Sequence, residues 1–231
     1  MLSPVMPDTH PFFDAIRAGD LAQVTSQLNL NPALASATNA SGVSAVLFSV
    51  YSGRREIRDL LLARGAVLQL HDAVAVGNLA RVQELLAGSP ANSNAFSPDG
   101  FPVVALAAVF GHLEVVRYLA SRGADIHAVS NNGTGYTALT GAVAGGHIVI
   151  VDWLLEQGAD PNYRYAAGYS PLLTAAANGR LEIVKLLLAH GADPLAATDD
   201  GKTALALAAE RNHSEVAAVF QSLSGIAVPK N

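Results

Sequence analysis

The chain has 231 residues, of which 51% are hydrophobic and only 6% aromatic, and its formal net charge is −5 at pH 7. It contains no cysteine, which excludes disulfide bonds, zinc–thiolate sites and thiol catalysis. An acidic balance without any basic run argues against a surface that follows nucleic-acid phosphates, so we expect no nucleic-acid partner.

The two ends of the chain are predicted to be tails, over residues 1–8 and 225–231. Residues 1–8 have neither the basic start nor the long apolar segment of a secretory signal. The longest apolar run, from Val103 to Phe110, is too short to span a membrane. We therefore predict a cytoplasmic protein without a membrane segment.

Residues 9–224 are predicted to form one repeat domain of seven helix pairs. The approximate limits of the pairs are 9–36, 39–66, 69–96, 97–129, 130–163, 164–196 and 197–224. A helix pair of this size cannot bury both of its faces alone, so neighbouring pairs must stack. Polar residues are frequent in the first and last pairs, as the open ends of a solenoid require.

Residues 11–66 resemble residues 69–124. At an offset of 58 the two segments share 18 identities in 56 positions, which indicates that a block of two units was duplicated. Only 5 positions separate Gly65 from Leu70, whereas 14 separate the equivalent Gly158 and Leu172. The turn segment that should precede the third helix pair is therefore predicted to be missing, with a discontinuity near Val67–His71.

The later units carry the clearest motifs. In the sixth unit, Ser170 is placed to cap the first helix, and Pro171 takes the first helical position, where its missing N–H costs nothing. Gly179 is expected to end that helix in the left-handed conformation. The glycines that end successive second helices, Gly158 and Gly191, are 33 residues apart.

These motifs resemble the ankyrin repeat. The resemblance rests on Gly-x-Ser/Thr-Pro/Ala-Leu, Gly-His/Arg-Leu-Glu-Ile/Val-Val and Gly-Ala-Asp, seen here as Gly168-Tyr169-Ser170-Pro171-Leu172 and Gly111-His112-Leu113-Glu114-Val115-Val116. It implies an all-α repeat solenoid of stacked helix-turn-helix units, in which short β-hairpin fingers precede the first helices. An array of this kind presents an extended surface for holding another molecule.

The candidate binding residues lie at positions that the repeat leaves free. In ankyrin proteins the fingers and the exposed side of the first helices line a concave face. Here those positions hold Tyr51, Phe101, Val109, Phe110, Tyr136, Tyr169, Lys202 and Arg211. Aromatic residues and arginine are enriched among binding hot spots. The alternative is that the aromatic rings only pack one finger against the next.

No residue is assigned to catalysis, to a cofactor or to a metal ion. His112, His147 and His213 recur at one position, but the family uses this histidine structurally, and adjacent copies would lie about 8–10 Å apart, too far to share a metal. Gly133-Thr134-Gly135 imitates a dinucleotide-binding fingerprint but lacks the preceding strand and the βαβ unit. We predict a protein that is not an enzyme.

The function predicted from the sequence is therefore that of a monomeric scaffold. It binds a protein or peptide partner on the concave face formed by the fingers and first helices. The alternative hypothesis is a structural role through self-association, in which the same face or the break near Val67–His71 forms the contact of a homo-oligomer.

Overall fold

The computed structural model describes residues 11–226, and within this range fourteen α-helices form seven consecutive helix pairs. The first three pairs are α1 (Pro11–Ala18) with α2 (Leu21–Leu30), α3 (Ala45–Tyr51) with α4 (Arg55–Ala63), and α5 (Leu70–Ala75) with α6 (Leu79–Ala87). The others are α7 (Val103–Val109) with α8 (Leu113–Ser121), α9 (Ala138–Gly145) with α10 (Ile148–Glu156), α11 (Pro171–Ala177) with α12 (Leu181–Ala189), and α13 (Ala204–Glu210) with α14 (Ser214–Ile226). The all-α repeat solenoid expected from the sequence is confirmed.

The predicted tails fall mostly beyond this range. The N-terminal tail over residues 1–8 and residues 227–231 of the C-terminal tail lie outside the described residues. Residues 225 and 226, which were assigned to the C-terminal tail from the sequence, form the end of α14 instead.

Side-chain caps begin several of the first helices. Ser44 Oγ accepts a hydrogen bond from Leu47 N at 2.9 Å at the start of α3, and Ser170 Oγ accepts one from Leu173 N at 3.3 Å at the start of α11. Each cap satisfies one of the N–H groups that a helix start leaves without an intrahelical partner. The structure confirms that Pro171 is the first residue of α11.

The units stack through two rows of helices. The first helices α1, α3, α5, α7, α9, α11 and α13 pack in that order, and the second helices from α6 to α14 pack behind them. The second helices each bury at least one large side chain almost completely, among them Leu28, Leu61, Leu86, Leu119, Leu154, Leu187 and Phe220. Full burial of such a side chain contributes about 1.5–3 kcal/mol, so the shared interior stabilises units that could not fold alone.

Three histidines join neighbouring units. Nε2 of His112 donates a hydrogen bond to the carbonyl oxygen of Ala75 at 3.0 Å, and Nε2 of His147 donates one to that of Val109 at 3.0 Å. His213 makes the equivalent bond to Ala177 at 3.2 Å. Each acceptor is the last residue of the preceding unit's first helix, where a carbonyl has no intrahelical donor. The recurrent histidine thus hydrogen-bonds one unit to the preceding one.

The duplicated segments fold alike. The 3₁₀-helix Pro32–Ser36 is matched 58 residues later by the 3₁₀-helix Pro90–Asn94, and α3 and α4 are matched by α7 and α8 at the same offset. In both copies a proline begins the 3₁₀-helix that replaces the Gly-Ala-Asp turn. Sequence identity and backbone geometry therefore give the same two-unit period.

The third unit has no finger. Helix α4 ends at Ala63 and α5 begins at Leu70, so the connection has no room for one. The row of fingers is nevertheless continuous, because the finger of the second unit lies against that of the fourth. A Cβ atom built on Gly42, which has a φ of +79°, would lie only 3.3 Å from Pro98 Cβ. The row therefore passes over the third unit without the discontinuity expected near Val67–His71.

A buried carboxylate supports α5 where the finger is absent. Asp72 is fully buried, and its Oδ2 accepts a hydrogen bond from Gln69 N at 2.9 Å. Its Oδ1 accepts a second one from the hydroxyl of Ser44 at 2.5 Å, and His71 Nε2 lies 3.5 Å away. Asp72 thereby caps α5 and ties the third unit to the second.

The predicted β-hairpin fingers are not confirmed. Among the described residues the fingers contain only isolated antiparallel bridges, at Thr38–Ser44, Phe96–Pro102, Tyr165–Tyr169 and Ala197–Thr203. Adjacent fingers are joined by isolated backbone hydrogen bonds, such as that from Asn131 N to Gly100 O at 3.0 Å, instead of a ladder. The segments are too short, and too often closed by side-chain bonds, for paired strands.

Candidate functional site

An apolar cavity of about 340 Å³ lies between the fingers and the first helices. The residues around it come from the second, fourth and fifth units: Tyr51, Asp99, Phe101, Ala105, Leu106, Val109, Phe110, Tyr136 and Gly141. Five of the eight residues predicted from the sequence are among them, namely Tyr51, Phe101, Val109, Phe110 and Tyr136. The structure thus brings together side chains that are up to 85 positions apart in the chain.

One wall of the cavity is closed by Tyr51. This residue ends α3, and its hydroxyl donates a hydrogen bond to Asp99 Oδ1, in the finger of the fourth unit, at 3.2 Å. Its ring lies 5.9 Å from that of Phe110, measured between centroids. The matching end of α5 carries only the small Ala75, and the third unit has no finger. Tyr51 can therefore reach across the third unit to the fourth.

The phenol of Tyr51 remains a hydrogen-bond donor over a wide pH range. Burial raises its pKa well above the ordinary value of 10.0, and the negative charge of Asp99 raises this pKa further. Both effects disfavour the phenolate. Asp99 Oδ1 also accepts a hydrogen bond from Ser97 Oγ at 2.6 Å, so the carboxylate is held in place from two sides.

The opposite wall is formed by stacked finger aromatics. Phe101 and Tyr136 meet edge to face with their centroids 6.1 Å apart, and Tyr136 lies 5.6 Å from Tyr165. Tyr165 in turn contacts Tyr169 at 6.4 Å and pairs with the hydroxyl of Thr174, and burial raises its pKa to about 12. The rings do pack finger against finger, as the alternative interpretation holds, yet Phe101 and Tyr136 also face the cavity.

A glycine lies at the floor of the cavity, where two helices meet. A Cβ atom built on Gly141 of α9 would lie 3.2 Å from the carbonyl oxygen of Ala105 and 3.3 Å from Val109 Cβ. The equivalent positions in the neighbouring units hold Leu106 and Thr174. The missing side chain allows α9 to lie close to α7.

The other three predicted residues lie outside the cavity. Tyr169 is half-buried against the core. Lys202 Nζ forms an ion pair with Glu210 Oε2 at 2.8 Å, and Arg211 Nη1 donates a hydrogen bond to Ala177 O at 3.1 Å. Lys202 and Arg211 thus bond within the last two units and do not extend the aromatic surface.

Sequence reasoning missed Asp99 and Gly141. Asp99 precedes Gly100, and an Asp-Gly pair at a finger tip is typical of a turn, as it is at Asp200-Gly201. Gly141 could have been found from the repeat alignment, because it replaces the larger residues of its sister units. The cavity itself depends on the contact between the second and fourth units, which no repeat pattern indicates.

Comparison with known families identifies the repeat. A family profile described as "Ankyrin repeats (3 copies)" matches residues 70–165, and one described as "Ankyrin repeats (many copies)" matches residues 154–208. Together the two matches span residues 70–208, more than half of the chain. The chain belongs to the ankyrin repeat family. No curated protein matches it.

Ankyrin repeats are generally protein–protein interaction modules. The first two units precede the matched residues, but they have the same paired helices, and the block that they form is repeated 58 residues later. The ankyrin architecture therefore extends from α1 to α14.

The ankyrin array has a second, more polar cavity on the far side of Phe110. Its volume is about 220 Å³, and its lining includes Arg54, Arg55, Arg58 and His112. Two of these arginines already have partners: Arg54 Nη2 donates to Arg17 O at 2.8 Å, and Arg58 pairs with Asp59 at 2.8 Å. The lining residues come from the second, third and fourth units, so this cavity lies at a junction between units.

Two further features bear on the predicted chemistry. Over residues 11–226, no cluster of three or more His, Cys, Asp or Glu side chains could hold a metal ion. In the same part of the chain, no helix has the length and apolar character needed to cross a membrane.

Proposed function

We propose that this protein binds a protein or peptide partner on the face formed by its fingers and first helices, at the cavity between Tyr51, Phe110 and Tyr136. The observation that carries the proposal is that the aromatic residues free to vary in the repeat surround one apolar opening. Aromatic side chains in a largely desolvated centre supply most of the binding energy in many interfaces.

The surroundings of the cavity favour binding without a large ordering cost. The Phe101, Tyr136 and Tyr165 rings contact each other, Tyr51 is hydrogen-bonded to Asp99, and Gly141 holds two helices close together. A surface whose side chains are already fixed loses little entropy when a partner binds. The volume also lies within the range of about 300–1,000 Å³ that is common for ligand pockets.

The test is quantitative capture of partners from the source cells with the tagged protein and a Phe110→Ala/Tyr136→Ala variant. The matched control is Phe96→Ala/Tyr118→Ala, which also removes two rings, from a finger position and a second helix that do not line the cavity. We expect the first variant alone to lose the partner, while both still show cooperative melting. Equal capture by all three proteins would show that the assigned face is wrong.

Self-association is the alternative use of the same face. Light scattering over a range of concentrations distinguishes the two: a molar mass that stays at the monomer value supports a separate partner. A mass that rises with concentration in the wild type, but not in the Phe110→Ala/Tyr136→Ala variant, would assign the face to a homo-oligomer contact.

The remaining predictions from the sequence stay predictions. They are a cytoplasmic location, a monomeric state, and the absence of enzymatic activity and of nucleic-acid and membrane partners. The partner-capture experiment addresses the nucleic-acid prediction directly, because nuclease treatment of the lysate would remove any partner that is held through nucleic acid.

A further inference from the structure

The cavity is apolar except for one charge. Of the residues that line it in the described part of the chain, Asp99 alone is charged, and it is half-buried. None of the ion pairs among residues 11–226 involves Asp99. A carboxylate beside an apolar opening lowers the electrostatic potential there and favours a cation over a neutral or anionic group.

One oxygen of this carboxylate is available. Oδ1 accepts the hydrogen bonds from Tyr51 and Ser97, whereas Oδ2 accepts none from the described residues. An ionised carboxylate accepts about four hydrogen bonds in all. The two existing bonds fix its orientation, so a donor entering the cavity would meet a carboxylate that is already positioned.

The aromatic rings also favour a cation. Tyr51 and Phe110 form one pair of rings and Phe101 and Tyr136 form another, and both pairs line the cavity. A cation within about 6 Å of a ring centroid is attracted by the negative face of the ring. The guanidinium group of arginine is planar, stacks on rings and is more weakly hydrated than the ammonium group of lysine. It therefore loses less hydration in an apolar cavity.

We propose that the cavity takes an arginine side chain of the partner, with its guanidinium between the two aromatic pairs and hydrogen-bonded to Asp99 Oδ2. The proposal rests on the proposed function, because it names the residue type that occupies the same face. The net charge of −5 on this chain also attracts cationic groups at long range, which favours a basic partner segment.

The test uses N-acetyl-arginine methylamide as the probe, with the citrulline and lysine methylamides as matched ligands. Citrulline keeps the length and planar end of arginine but has no charge. Binding is followed by NMR through the ring resonances of Tyr51, Phe101, Phe110 and Tyr136. These resonances are assigned from spectra of single Tyr→Phe and Phe→Leu variants. The protein variants are Asp99→Asn, which keeps the shape of the finger, and Asp152→Asn, which removes the same charge from the exposed side of α10.

We expect the arginine probe to shift these ring resonances, and citrulline to bind at least about tenfold more weakly, since it loses a charge-assisted hydrogen bond. Asp99→Asn should weaken arginine binding about tenfold, whereas Asp152→Asn should leave it unchanged. Equal binding of citrulline, tighter binding of lysine, or an equal loss in both variants would overturn the proposal.

The outcome is separable from that of the proposed function. If the arginine probe fails and the Phe110→Ala/Tyr136→Ala variant still loses the captured partner, the face binds a partner by other chemistry and only the arginine assignment is wrong. If capture is unaffected by the loss of both rings, the proposed function itself fails, whatever the probe does.

Discussion

The hydroxyl of Tyr51 and the carboxylate of Asp99 are joined across 48 residues of the chain by a hydrogen bond of 3.2 Å. The contact passes over a complete helix pair, α5 with α6, and links the second unit to the fourth. In a regular solenoid each unit touches only its neighbours. Here the absence of one finger allows a contact between units that are next-nearest neighbours.

This contact should be measurable as a coupling between the two side chains. We expect Tyr51→Phe and Asp99→Ala, which removes the acceptor, each to lower the free energy of unfolding slightly, and the double variant to be less destabilised than the sum, by about 1 kcal/mol. Urea unfolding of the four proteins gives the coupling energy. Strict additivity would contradict the hydrogen bond, and a Tyr51→Phe/Asp152→Asn pair, whose residues do not touch, is the additive control.

Removal of the buried carboxylate of Asp72 should be more costly. Asp72→Ala leaves the Ser44 hydroxyl and the Gln69 N–H without their acceptor inside the protein, so we expect a loss of about 2–4 kcal/mol in the free energy of unfolding. Thermal melting by circular dichroism is sufficient to detect such a change. The exposed Asp59→Ala is the control, and a similar small effect from both variants would show that Asp72 does not support α5.

The amide of Asn94 joins the third and fourth units. Its Nδ2 donates to Gly123 O at 2.9 Å, and its Oδ1 accepts from Asp125 N at 2.7 Å. Asn162 makes the same pair of bonds to the next unit at 2.9 and 2.8 Å. Both asparagines are exposed, which limits the contribution of each pair.

We expect Asn94→Ala and Asn162→Ala each to lower the free energy of unfolding by about 1 kcal/mol, because two hydrogen bonds are lost at a partly hydrated junction. The sites are in different interfaces, so the double variant should show the sum of the two effects. Urea unfolding measures all three variants. Asn92 is another exposed residue of the same 3₁₀-helix, so Asn92→Ala should have little effect. If it destabilises the protein as much as Asn94→Ala does, the two hydrogen bonds of Asn94 are not the cause.

Stability should also depend on the protonation of His112. Burial lowers the pKa of His112 below its ordinary value of 6.5, so the unfolded chain binds the proton more readily than the folded protein. The contribution of this group is therefore present above pH 6.5 and is lost as the pH falls below it. We expect urea midpoints to fall between pH 7.5 and pH 5 by more in the wild type than in His112→Gln, which can still donate to Ala75 but does not titrate. Parallel pH profiles for the two proteins would contradict this assignment.

Local signals in the sequence predicted most of the fold and part of the site. Ser170 with Pro171 and the repeated glycines mark helix ends through short-range geometry, and the short interval from Gly65 to Leu70 marks the missing finger. The role of Asp99 could not be found in this way, because an Asp-Gly turn and a cavity carboxylate have the same local sequence. Lys202 and Arg211 were matched to the aromatic positions by alignment alone, yet their closest charged or polar partners lie in the last two units.

The two-unit duplication bears on how the aromatic cavity could have arisen. Tyr51 belongs to the first copy of the block, whereas Asp99, Phe101 and Phe110 belong to the second. A chain with a single copy would have had no partner for Tyr51 and no wall opposite it. The cavity therefore lies where the two copies meet, and Tyr136 and Gly141 of the fifth unit complete its lining. One of the differences between the copies lies at the cavity: the residue that corresponds to Tyr51 in the second copy is Val109, and both line the cavity.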